Sequence, residues 1–265
     1  METDTTAHEA SRPVVRDPDR LARVIGALFV LLAVLGPFAL LYVPGQIVVA
    51  GDAAATAANL RDSGDLFRAG IAVEVVIMLV EIAMPVLLYL LFRPASRAVA
   101  LTAAFARFGE AVVIGVGLLA SFLALRLVGD AGYLDAVDSG QRDALALLAL
   151  DSHGDGVFVG QIFFGFSLLL LGWLAFRAGF VPRLFGVLLA VAAVGYLADS
   201  LGHLLWSGYD DALGWLVGAT AVVGEVPFFL WLLIKGVDSR AWHARDSATT
   251  AGRSPAPPDG EATTR

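Results

Sequence analysis

VFVGQIFFGFSLLLLGWLAF at 157–176, RAGFVPR at 177–183 and LFGVLLAVAAVGYLADSLGHLLW at 184–206 together decide the fold. Each apolar run is about as long as the roughly 20 residues that a helix needs to cross a bilayer core. The turn between them carries Arg177, Pro182 and Arg183, which belong at a membrane surface. The pattern is a transmembrane helical hairpin. Working outward, four more apolar runs repeat it, giving spans over about 21–43, 66–92, 97–128, 157–176, 184–206 and 212–235. The expected fold is an all-α membrane protein, a six-helix bundle occupying residues 21–237, with disordered tails at 1–20 and 238–265.

Composition agrees with that reading. The chain is 58% hydrophobic and 16% charged, with a mean hydropathy of +0.76, well outside the range of water-soluble domains. A net charge of −7 without a basic stripe argues against nucleic acid as a partner. There is no cysteine, which removes disulfides, iron–sulfur clusters and thiolate chemistry. The first run, Leu21 to Val43, is too long for the apolar core of a signal peptide and reads as an uncleaved span. Gly36 and Pro37 within it predict a kink.

The loops carry further signals. Asp52 is placed to cap a short helix over AAATAANL, and Asp65 to cap the second span. The acidic connection 129–156 contains an apolar patch, ALALLAL at 144–150, read as either an early turn of the fourth helix or a lid. Gly214 and Gly218 have the spacing that lets a neighbouring helix approach closely.

Orientation follows from the basic residues. With six spans, Arg12, Arg16, Arg20, Arg23, Arg93, Arg97, Arg177, Arg183, Lys235, Arg240, Arg245, Arg253 and Arg265 fall on one side. Arg61, Arg68, Arg126 and Arg142 fall on the other. The positive-inside rule then puts both termini in the cytoplasm, in an inner membrane.

Three stretches carry a family resemblance: GDAAATAANL at 51–60, LYLLFRPASRAVALTAAFARF at 88–108, and the hairpin from Phe163 to Ser200. They resemble a bacterial membrane family catalogued as domain of unknown function 4386, over roughly Leu21 to Lys235. The resemblance implies a multi-span helical membrane protein and assigns no chemistry. Ser167 departs from it, at a position where many relatives are expected to carry histidine.

Ionisable residues inside a bilayer are costly, roughly 2.5–3.5 kcal/mol each on insertion scales, so they face the bundle interior. Glu74, Glu81, Arg107, Glu110, Asp199, His203 and Glu225 are the candidates. Counting along the helices puts Glu74, Glu110, Asp199 and His203 in the outer half, Arg107 near the middle, and Glu81 and Glu225 in the inner half. Arg107 can neutralise one carboxylate, and the remaining acids need a proton, a partner, water or a bound cation. Pro85 and Pro227 place the inner acids beside weakened helix hydrogen bonding.

Three functions fit. The first is a small carrier or ion-coupled permeation protein that binds protons or a cation. In the second, a non-catalytic scaffold or regulatory partner, Arg107 pairs with Glu110 or Glu74 merely to fix helix register, alone or with a protein partner or a second copy. The third is an outward-facing metalloenzyme using Asp199 and His203 as ligands, completed by Glu74, Glu110 or His153. A calcium loop at Asp151–Asp155 is rejected because Ile162 stands where the closing glutamate belongs. Ser167 and Ser200 lack the surroundings of a serine nucleophile. The lipid bilayer is the expected partner, no cofactor is indicated, and the balance lies against an enzyme.

Overall fold

The computed structural model describes residues 15–130, 132–206, 209 and 214–251. Helix α1 (Pro18–Pro37) passes through one turn of π-helix, Phe38–Tyr42, into α2 (Val43–Ile47). There follow α3 (Ala53–Asp62), α4 (Gly64–Phe92), α5 (Arg97–Val128), α6 (Ser139–Ala178), α7 (Arg183–Leu205), α8 (Gly214–Gly224), α9 (Val226–Ile234) and α10 (Ser239–Ala251). Six stretches are long and apolar enough to cross a membrane: Pro18–Ile47, Gly64–Phe92, Arg97–Val128, Ser139–Ala178, Arg183–Leu205 and Gly214–Ile234. The protein is an all-α, multi-pass membrane protein.

Polar side chains set the joints between spans. Asp17 accepts from the Arg20 amide at the start of α1, Asp52 from the Ala55 amide at the start of α3, and Ser96 from the Val99 amide at the start of α5. Gly179, at φ +79°, closes α6 in the left-handed conformation that glycine adopts without strain. The α6–α7 hairpin is tight because Gly172 and Gly186 face each other. A Cβ built at either would lie within 2.8 Å of the other's carbonyl oxygen.

The spans form a ring in chain order. Helix α1 packs on α4, α4 on α5, α5 on α6, α6 on α7 and α7 on α8, and α9 closes the ring on α1. Outward faces stay apolar, with Val34, Leu41, Phe105, Val116 and Leu119 exposed where a bilayer would solvate them. The two ends differ in packing. At the α10 end, Phe92, Phe228, Phe229, Leu168, Leu171 and Trp242 belong to one dense buried cluster. At the α3 end the buried cluster is smaller, built around Val43, Ile47, Leu60, Phe67 and Leu150.

Several expectations need correction. Residues 18–20, the first of α1, and 239–251 are helical rather than disordered: Trp242 is fully buried and its Nε1 donates to the Leu91 carbonyl at 2.8 Å. Arg93 pairs with Asp246 at 3.6 Å, and the Thr249 hydroxyl donates to the Pro94 carbonyl, so α10 docks on the α4–α5 turn. A polar composition concealed one anchoring tryptophan. The fourth span begins at Ser139, not Val157, which makes 144–150 part of a 40-residue helix and not a lid. Ser63, rather than Asp65, occupies the cap position of α4. The sixth span is broken at Glu225, between α8 and α9. A Cβ at Gly214 or Gly218 would meet nothing within 4 Å, so among the described residues no helix uses that small-residue face. The expected disorder at 1–14 and 252–265, and the connection at 207–208 and 210–213, lie outside the described residues.

Candidate functional site

A cavity of about 390 Å³ lies inside the ring. Six of its lining residues carry most of its polar chemistry: Glu74 and Glu81 from α4, Arg107 and Glu110 from α5, His153 from α6, and Glu225 from the α8–α9 joint. Gln161 and Tyr196 add neutral polar groups. The rest is apolar, including Phe29, Leu32, Ile77, Val113, Ile114 and Phe164. Each ionisable group reaches the interior because its helix has no other face away from lipid.

The acids are not equivalent. Glu81 holds Arg107 through a two-point ion pair, Nε to Oε2 at 2.6 Å and Nη2 to Oε1 at 2.7 Å. Both side chains are buried, Arg107 at 1% and Glu81 at 4% exposure. Planar two-point pairing is the geometry that repays much of the desolvation of a buried arginine. The Phe164 ring covers the guanidinium at 4.6 Å and meets Tyr196 edge-on. Beneath Arg107 the interior is nearly filled, leaving a void of about 10 Å³ lined by Pro85, Leu88 and Ser167 among others. Arg107 therefore forms the floor of the cavity.

Glu74 faces His153, whose Nε2 lies 3.4 Å from Glu74 Oε2. The other ring nitrogen, Nδ1, is 3.3 Å from the Ser121 hydroxyl. Gly117 makes room for the imidazole: a Cβ there would sit 3.1 Å from His153 Nδ1. Glu225 and Tyr196 line the same cavity from neighbouring spans. Glu110 Oε2 has no hydrogen-bond partner, and neither does Arg107 Nη1. A second cavity of about 530 Å³ shares Leu40, Glu74, His153 and Val157 with the first. Asp151 and Asp155 lie on its wall, and it extends past Val43, Gly45 and Val48 toward the α3 end.

Five of the seven candidate residues thus meet in one cavity: Glu74, Glu81, Arg107, Glu110 and Glu225. Arg107 pairs with Glu81, not with Glu110 or Glu74 as expected, because Glu81 presents both its oxygens to the guanidinium fork. Asp199 and His203 do not line this cavity. Asp199 Oδ1 accepts from the Tyr209 hydroxyl at 3.3 Å, and the His203 ring stacks on Phe158 at 3.7 Å. Among the described residues, no three His, Asp or Glu side chains converge as metal ligands would. His153, Gln161 and Tyr196 were missed as cavity residues. The signal was present, since 153, 157, 160, 161 and 164 share one face of a helix, but only once that helix is started before residue 157.

The site lies within a membrane domain whose identity sequence comparison establishes. Residues 24–236 match a family model described as "Domain of unknown function (DUF4386)". The chain belongs to the DUF4386 family. A protein of Archaeoglobus fulgidus described as "Uncharacterized protein" is 42% identical over 78 residues, which is 29% of this chain and 44% of that protein. The chain thus spans less than half the length of the relative it matches. No solved structure matches. Every cavity-lining residue named above falls inside the DUF4386 region.

Proposed function

We propose that the protein is a small carrier or ion-coupled permeation protein of an inner membrane, with both termini cytoplasmic, moving protons or a cationic solute through the central cavity. One observation carries the reading: both interrupted spans line the cavity that gathers the acids. The first span contributes Gly36, Pro37 and Leu40 beside its π-turn, and the sixth contributes Ala221, Val222, Glu225 and Val226 around its break. Backbone that departs from the α-helix at membrane depth belongs where it borders a polar cavity, and carriers bind their solutes at such broken helices. A bundle held together only by buried ion pairs would have no use for the space.

The topology follows from the excess of Arg and Lys on the side that includes Arg93, Arg97, Arg177 and Arg183. In this orientation the second cavity opens outward and the α10 end faces the cytoplasm.

The test is flux in proteoliposomes under an imposed proton gradient, read for the wild type and for Glu74→Gln, Glu110→Gln and Glu225→Gln. The carrier reading requires protein-dependent flux that these substitutions abolish while the protein stays folded. Absence of wild-type flux for protons and monovalent cations, or full flux in all three variants, would leave the scaffold reading in its place. Single cysteines at Ser63 and Ala95 test the topology, because the native chain has no cysteine to interfere. An impermeant reagent should label the first from outside the cell and the second only after lysis.

A further inference from the structure

Two of the four cavity carboxylates stand opposite a basic side chain. Glu81 is held by Arg107, and Glu74 faces His153 at 3.4 Å. Glu110, one helical turn from Arg107, is in neither pair, and its Oε2 is buried without a hydrogen-bond partner among the described residues. A carboxylate kept in a low-dielectric interior asks for a cation or a proton. Independently of the acids, Arg107 is 99% buried, lines the cavity, and has one nitrogen, Nη1, without an acceptor. An unmet acceptor and an unmet donor therefore stand a turn apart on α5.

The walls say what kind of cation would fit. A metal ion gathers about six oxygens in a tight shell, whereas this cavity is about 390 Å³ and walled chiefly by Phe, Leu, Ile and Val side chains. That volume falls in the range of sites for small organic ligands, which are mostly apolar with a few fixed polar groups. The second cavity, with Asp151 and Asp155 on its wall and Glu74 and His153 at the boundary, is an approach that concentrates cations and repels anions.

We propose that the central cavity binds a small organic ammonium ion with an apolar body and an oxygen acceptor close to the nitrogen. The ammonium pairs with Glu110, the oxygen accepts from Arg107, and the apolar body lies against Phe29, Leu32 and Ile114. This names a ligand class for the cavity on which the carrier reading rests.

Calorimetric titration of the protein in lipid nanodiscs, with empty nanodiscs as the reference, tests it with four probes of similar size. Phenylethanolamine has all three features, phenethylamine lacks the oxygen, phenethyl alcohol lacks the amine, and mandelate reverses the charge. The expected result is saturable binding of phenylethanolamine. Phenethylamine should bind about threefold to tenfold more weakly, and the alcohol and mandelate more than about tenfold more weakly. Glu110→Gln should weaken phenylethanolamine by about tenfold. Binding of the alcohol or mandelate as tight as that of phenylethanolamine overturns the proposal, as does equal binding of the two amines or no binding of either. Since the probe series uses the wild type, a poorly folding variant does not undermine it. The two readings fail separately: amine binding without flux removes the carrier and keeps the site, and proton flux without amine binding does the reverse.

Discussion

The two ends of the ring use the same kind of apolar helix, yet one is filled and the other is hollow. At the α10 end, aromatic side chains from α4, the α6–α7 turn, α9 and α10 interlock: Phe92 lies between Phe180 and Phe228, and the Trp242 indole is tied to the Leu91 carbonyl. At the α3 end, the π-turn at Phe38–Tyr42 and glycines such as Gly117, Gly156 and Gly160 leave space that polar groups line. Arg107 and Glu81 sit at the boundary. A membrane bundle gains nothing in stability from space around carboxylates, so a hollow end paired with a filled one separates the part that holds the ring from the part that acts.

If that division is right, substitutions at the filled end act on stability and those at the hollow end on function. Trp242→Ala should have the largest effect, about 3–5 kcal/mol of lost stability, seen as a lowered unfolding temperature in detergent. Arg107→Met should cost nearly as much, about 3–5 kcal/mol, because Glu81 is then a buried charge without its partner. The double variant Arg107→Met, Glu81→Met should recover most of that loss, and failure to recover would mean that the pair does more than neutralise itself. Gly117→Ala, which pushes a methyl group against His153, should cost about 1 kcal/mol and shift the imidazole resonances of His153 in NMR spectra. Glu110→Gln should be the mildest for folding, within about 1 kcal/mol, while removing flux and weakening amine binding about tenfold. A large loss of stability on Glu110→Gln would erase the contrast between the two ends.

Much of this fold is legible in the chain because bilayer thickness and hydropathy leave few alternatives. Six apolar runs, the Asp52 cap and the hairpin turning at Arg177–Arg183 follow from residue pattern alone. The misses have local causes. Helix α6 extends eighteen residues before Val157, where Asp143, Asp151 and Asp155 depress hydropathy, so His153 reads as a loop residue and its meeting with Glu74 is hidden. Helix α10 has no apolar stripe and depends on one tryptophan reaching a carbonyl in another turn, which no local pattern encodes. The gathering of Glu74, Glu81, Arg107, Glu110 and Glu225 follows from the rule that charges avoid lipid. Which acid pairs with Arg107 does not, because that depends on helix rotation and depth to within an ångström or two.

The most direct test of the division between the ends is chemical access. Single cysteines at Val113 and Gly156, which line the hollow end, and at Ala100 and Leu171, buried at the filled end, would be treated with cationic and anionic methanethiosulfonate reagents in proteoliposomes. The account predicts that positions 113 and 156 react, faster with the cationic reagent, and that 100 and 171 stay protected. Protection at 113 and 156, or equal rates with both reagents, would contradict it.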